Sequence, residues 1–133
     1  MPGSQFPHLK HLTPVLIVDQ VEPCVEFWVR RLGFSAANQV PAPDGTLAFC
    51  SVAKGDVEIM YQSRASVLAD APGAAQEFAG RSALLFFTVD DLDHVEQAVA
   101  GAPLWKGRHR TPYGSTEIYV REPGGTMVGF AQF

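Results

Sequence analysis

A chain of 133 residues, 47% hydrophobic and 18% charged, has the size and mix of one globular domain with a real core, which argues against disorder. A net charge of −4 with scattered Lys and Arg argues against nucleic acid, because phosphate binding calls for clustered positive charge. No stretch reaches the ~20 apolar residues of a membrane span. Cys24 and Cys50 lack CxxC spacing and no signal-like apolar run precedes them, so core thiols in a reducing cytoplasm are expected.

Thr13 to Asp19 is a short, nearly continuous apolar run rich in Val and Ile, the pattern of a strand covered on both faces. A helix follows, because Val21, Val25, Trp28 and Leu32 recur at helical spacing, Pro23 suits a first turn and Gly33 suits the residue just past the end. Phe34 to Val40 reads as an extra strand. The turn cluster Pro41-Ala42-Pro43-Asp44-Gly45 leads into strands at Thr46 to Val52 and Val57 to Gln62, joined at Lys54-Gly55-Asp56. Ser66 to Gly80, rich in Ala and Gly, predicts a connecting segment with a short helix.

Ser82 to Val89 repeats the apolar strand. Asp90-Asp91-Leu92-Asp93 caps a helix whose Leu92, Val95 and Val99 share one face and which Gly101 ends. Lys106-Gly107-Arg108-His109-Arg110, the one basic run, reads as a solvated loop, with a local anion contact as the alternative. Thr116 to Arg121 and Thr126 to Phe133 close the chain as strands around the turn Glu122-Pro123-Gly124-Gly125.

The second half repeats the first. Val18-Asp19 matches Val89-Asp90 at an offset of 89 − 18 = 71, and Gly55 matches Gly125 at 125 − 55 = 70. The expected fold is α+β: two tandem βαβββ modules in one domain over 1–133. Module one covers about 10–64, a linker about 65–81 and module two about 82–133, with a cleft between the modules.

Pro14-Val15-Leu16-Ile17-Val18, Phe27-Trp28 with Leu32-Gly33-Phe34, Val89-Asp90-Asp91-Leu92, Tyr113-Gly114 with Glu117, and Glu122-Pro123-Gly124-Gly125 together resemble the vicinal oxygen chelate superfamily. That group includes glyoxalase I, extradiol dioxygenases, fosfomycin-resistance enzymes and bleomycin-resistance proteins. The resemblance runs from about Leu12 to Phe133, and the order and spacing of the motifs are more specific than any one of them. It implies a U-shaped mixed sheet with a ligand on its concave face, and a homodimer. It also implies metal-ligand positions at Thr13, Ile59, Leu84 and Gly129, none of which carries a normal donor side chain. A site built from His11 and Glu58, with the fourth strand shifted by one residue, is the alternative, and it would still lack a third donor.

The expectation is therefore a cleft without metal or other cofactor and with no assigned catalytic residue. Alternation from those positions nominates Thr13, Val15, Ile17, Ile59, Tyr61, Leu84, Phe86, Thr88, Met127, Gly129 and Ala131 as its lining, although a flipped strand would send its set to the helix-covered face. Trp105 and Tyr113 are offered as ligand or dimer contacts. Glu117 is offered as a charged group in the cleft or as a structural partner of Arg121 or Arg110, the pairing being favoured. Gly129 is read as enlarging the pocket. The function this supports is a small-molecule-binding protein that sequesters a hydrophobic or cationic aromatic ligand. The alternative is a divergent enzyme, either a metal-dependent lyase or dioxygenase or a metal-free isomerase using Glu117 or Tyr119.

Overall fold

A computed structural model describes residue 6, residues 11–70 and residues 83–133. Module one runs β1 (Val15–Val18), α1 (Val21–Glu26, continuing as a wider π-helical turn over Phe27–Arg31), β2 (Ser35–Pro41), β3 (Leu47–Lys54) and β4 (Val57–Ser63). A short helix α2 (Arg64–Asp70) starts the connection, most of whose expected span, residues 71–82, lies outside the described residues. Module two runs β5 (Leu84–Thr88), α3 (Leu92–Ala98), β6 (Leu104–Arg110), β7 (Thr116–Arg121) and β8 (Met127–Gln132). Among the described residues no helix is long and apolar enough to cross a membrane.

The duplication read from the offsets is a duplication of topology. The two sheets have the orders β1-β4-β3-β2 and β5-β8-β7-β6, each with one parallel pair at the first strand and antiparallel pairs elsewhere. They are two separate four-stranded sheets, and β1 and β5 each end their sheet as edge strands. Gly33, at φ 74, follows the helical turn as its C-terminal signal predicts, because a left-handed residue there carries no Cβ penalty. The basic run is a correction: Lys106 to Arg110 is the outer strand β6, not a loop. Its pairing with β7 slips twice, between Leu104 and Lys106 and between Lys106 and His109, so no simple alternation marked it as a strand.

One apolar core serves both modules. Val21, Cys24, Val25 and Trp28 of the first helix lie against Leu16, Val18, Cys50, Val52, Ile59 and Tyr61 on one face of the first sheet. Leu92 and Val99 flank Ile118, Val120, Val128 and Phe130 in the second. Trp28 joins the halves, its ring 5.8 Å from that of Phe87, which in turn stacks on Phe130 at 5.6 Å.

A buried polar chain also crosses between the modules. Trp28 Nε1 donates to Tyr61 Oη (2.8 Å), Tyr61 Oη donates to Glu122 Oε2 (2.7 Å), and Glu122 Oε1 accepts from the Thr126 amide (2.6 Å). Glu122 is 1% exposed. Burial first, and then the Glu122 carboxylate, push the Tyr61 phenol and the Cys24 thiol far above their ordinary ranges, so both stay protonated. Gly124 in the same turn lies so close to module one that a Cβ there would meet Val18 Cγ1 at 2.5 Å and Cys24 Sγ at 3.0 Å. The turn Glu122-Pro123-Gly124-Gly125 is thus the plug by which module two seats in module one.

Removing the hydroxyl of Tyr61 strands both the Trp28 N–H and a carboxylate oxygen in a dry core. Tyr61→Phe should therefore cost about 1–3 kcal/mol of stability in urea denaturation. Arg64→Ala, which breaks only the exposed Asp19 ion pair, should stay within about 0.5 kcal/mol of the parent.

Candidate functional site

Strand parity decides what faces the helices and what stays bare. On β4, Ile59 pairs with Val52 and Tyr61 with Cys50 and Leu16, all buried on the face that carries α1. Ile59 and Tyr61, expected to line the cleft, are core residues, and Glu58, Met60 and Gln62 take the bare face instead. The positions implied by the resemblance set this strand one residue out of phase. Val15 and Ile17 of β1 do lie on the bare face, with Thr13 just ahead of the strand in the same alternation.

In module two the expected set shares one face. Leu84, Phe86 and Thr88 of β5 lie beside Met127, Gly129 and Ala131 of β8, and Glu117 and Tyr119 of β7 pair with Ala131 and Gly129. Leu84 and Phe86 are about half exposed, at 52% and 49%, which is unusual for strand residues of this size.

Toward β6 this face deepens into a recess of about 280 Å³ lined by Trp105, Lys106, His109, Arg110, Tyr113 and Tyr119 together with Glu117. The Trp105 ring meets Tyr119 edge-on at 5.3 Å, and the His109 ring lies parallel to Tyr119 at 6.1 Å. The slipped register of β6 aims both Trp105 and His109 at the recess. Tyr113 stands on a loop pinned by Thr111, whose Oγ1 accepts from the amides of Tyr113 and Ser115 and shares a 2.7 Å bond with Ser115 Oγ.

Glu117 is buried and its two oxygens are separately held. Ser115 Oγ donates to Oε2 (2.7 Å) and Tyr119 Oη to Oε1 (2.9 Å). The favoured structural pairing with arginine is not what the fold builds: Arg121 donates to the Gly125 carbonyl instead. Burial, then the bond to Glu117 and its charge, raise the Tyr119 phenol, which makes it a hydrogen-bond donor rather than a base. Sequence reasoning offers Tyr119 only as a catalytic alternative, outside the lining, and places His109 in a solvated loop. The i, i+2 step from Glu117 to Tyr119 was a usable signal, whereas His109 was hidden by the β6 bulges.

Gly129 also needs correcting. It does not open space, because the ring of Tyr119 lies across it: a Cβ at Gly129 would stand 2.8 Å from Tyr119 Cδ2 and closer still to Cε2. Glycine is required there so that Tyr119 can lie flat and reach Glu117.

The donors on these faces do not fit a divalent metal. Module one offers the Thr13 hydroxyl and the Glu58 carboxylate, with His11 two residues ahead of Thr13, while the implied positions of module two offer only the Leu84 side chain and a glycine covered by an aromatic ring, so the third imidazole, thiolate or carboxylate ligand such a site needs is missing. Among the described residues, no three His, Cys, Asp or Glu side chains gather closely enough to hold an ion.

Paired βαβββ modules with a bare, aromatic-lined sheet face define the class. The chain belongs to the Glyoxalase/Bleomycin resistance protein/Dioxygenase superfamily, whose model matches residues 8–130. Its fold is similar to that of TioX from Micromonospora sp. ML1 (TM-score 0.73, 21% identity, 92% of this chain and 98% of that one). It is equally similar to lactoylglutathione lyase from Agrobacterium tumefaciens (TM-score 0.72, 21% identity, 95% of each chain). A glyoxalase/bleomycin resistance protein/dioxygenase family enzyme from Burkholderia phytofirmans PsJN also aligns (TM-score 0.69, 19% identity, 90% of this chain and 95% of that one). A comparison with curated proteins gives no match.

The Gly129 contact has a measurable consequence. Gly129→Ala should displace Tyr119 and cost about 1–3 kcal/mol. In a Tyr119→Ala background the same change should cost under about 0.5 kcal/mol, a coupling that a denaturation double-mutant cycle reads directly.

Proposed function

We propose that this protein binds a hydrophobic, cationic aromatic small molecule on the bare face of its second sheet, without a metal. The observation that carries this reading is the recess itself: a buried carboxylate, Glu117, fixed by two hydrogen bonds and surrounded by Trp105, Tyr113 and Tyr119, with Lys106 and Arg110 also on the walls and in no ion pair with it among the described residues. Aromatic faces attract cations and stack on planar rings, and a desolvated carboxylate between them adds a charge partner that a neutral ring cannot use. Leu84, Phe86 and Met127 extend the apolar surface beside it, with Gly129 beneath Tyr119.

Binding is favoured over catalysis by two features. The raised phenol of Tyr119 is unsuited to proton abstraction, and the donor set on both faces is unsuited to the Lewis-acid chemistry of metal-dependent lyases and dioxygenases. Two buried, free thiols suit a reducing cytoplasm.

The recess is smaller than the ~300–1,000 Å³ that encloses a drug-sized molecule, so it takes one ring of a ligand and leaves the rest outside. Half-exposed Val15, Leu84 and Phe86, together with the open edges of β1 and β5, support a homodimer in which a second copy covers these faces and completes the site. Thr13 and Val15 of module one then belong to the ligand-facing surface.

N-methylquinolinium, titrated by Trp fluorescence beside neutral 2-methylnaphthalene, tests the reading. Glu117→Gln should weaken the cation roughly tenfold or more and leave the hydrocarbon unchanged, while Trp105→Ala should weaken both. Equal loss for both probes in Glu117→Gln, or none for either, would overturn it. Metal content by elemental analysis should lie well below one Zn, Fe, Mn or Ni per chain. Light scattering at tens of micromolar should report twice the 14.4 kDa chain mass, a single 14.4 kDa species being the contrary result.

A further inference from the structure

A further cluster of positive charge lies away from the bare sheet faces, where the first helix meets the second module. A groove of about 610 Å³ opens there, lined by Arg30 and Arg31 from the π-helical turn and by Arg121 from the end of β7. Its floor is apolar, formed by Phe27, Pro103 and Pro123. Glu26 is the acidic side chain at its rim, and Glu122, buried and hydrogen-bonded by Tyr61 and Thr126, lies behind it. Three guanidinium groups against two carboxylates, one of them buried, leave this a locally positive site in a protein of net charge −4.

Two of the three arginines are held in place. Arg31 donates through Nη1 to the Ala100 carbonyl (2.6 Å) and lies 5.9 Å from the centre of the Phe27 ring, while Arg121 donates through Nη1 to the Gly125 carbonyl (3.0 Å). A guanidinium has five N–H donors, so each of these keeps most of them for a ligand while its position is fixed in advance. Arg30 makes only a long, exposed ion pair with Glu26 at 3.7 Å and is free to swing over the groove. Ordering costs that weaken binding at flexible arginines are thus already met for two of the three.

The volume falls within the range of small-molecule sites, and neither the floor nor the rim alone accounts for its chemistry. Inorganic phosphate would leave the Phe27 and proline floor uncovered, and a neutral hydrocarbon would leave three cations unmatched. We propose that this inter-module groove is a second binding site, for an amphipathic organic carboxylate whose head meets Arg30, Arg31 and Arg121 and whose hydrocarbon lies on Phe27, Pro103 and Pro123. The ligand would touch both the first helix and the seat of the Glu122 turn, so its occupancy ties together the two modules.

Sodium decanoate, kept below its micelle threshold and titrated into the full chain, provides the test, with decyltrimethylammonium as the charge-reversed control. Two-dimensional NMR of the arginine Nε–Hε groups should show Arg30, Arg31 and Arg121 shifting with decanoate and not with the ammonium. Arg121→Gln should weaken decanoate about tenfold. Because that change also removes the bond to Gly125, Arg30→Gln, which disturbs only an exposed ion pair, serves as the second variant and should weaken binding severalfold with unchanged stability. No decanoate binding at millimolar concentration overturns the proposal. So do shifts confined to the Trp105 indole, equal binding of the ammonium at these arginines, and unchanged affinity in Arg30→Gln.

Discussion

The seating of Glu122 in module one is the constraint on which the rest depends. A carboxylate with almost no solvent access is stable only if each oxygen finds a donor, and here the donors come from different modules: Tyr61 from the first, the Thr126 amide from the second. Tyr61 is itself oriented by Trp28, whose ring is also the apolar bridge to Phe87. One residue of the first helix therefore serves both the polar and the apolar contact between the halves. The neighbouring Gly124 makes the approach possible, because any side chain there would strike Val18 and Cys24. The inter-module arrangement is specified by this cluster and not by a shared strand, since the sheets do not pair.

With both helix-covered faces committed to that core, function is left to what remains outside it. The bare face of the second sheet collects the exposed large apolar side chains and a single buried acid, and the groove beside the first helix collects three guanidinium groups. Glu117 is held as an acceptor by Ser115, just ahead of its strand, and by Tyr119 on it, so the recess needs little help from the rest of the fold. Arg31 and Arg121 are held by backbone carbonyls of the second module, so the groove depends on the modules being correctly seated.

Much of the fold was legible because its signals are local. Continuous apolar runs marked β1 and β5, helical spacing at Val21, Val25 and Trp28 marked the first helix, and the near-constant offset between Gly55 and Gly125 marked the duplication. The bare-face set of module two was legible as well, since alternation along β5 and β8 is unbroken. On β4 the residues alternate cleanly, yet Ile59 and Tyr61 are as apolar as a cleft lining would be, and only their pairing with Val52 and Cys50 shows them to be core. Composition cannot separate two buried-looking faces of one strand. β6 was lost for a different reason, because two register shifts and Gly107 break the period that would have revealed a strand in a basic run.

Gly129 shows most clearly where one-dimensional reasoning stops. A glycine at a position where the resemblance implies a ligating carboxylate suggests vacated space, and that inference is sound for the residue taken alone. The strand beside it carries Tyr119 directly opposite, however, and an aromatic side chain across from a strand glycine falls onto the empty position. The absent side chain and the aromatic ring are then one feature. Glycine lets Tyr119 lie flat, and a flat Tyr119 reaches Glu117 and offers its ring to Trp105 and His109. A position at which the resemblance implies a metal ligand is instead the back wall of an aromatic recess, and placing a carboxylate at Gly129 alone would not make a metal site, because Tyr119 would first have to leave.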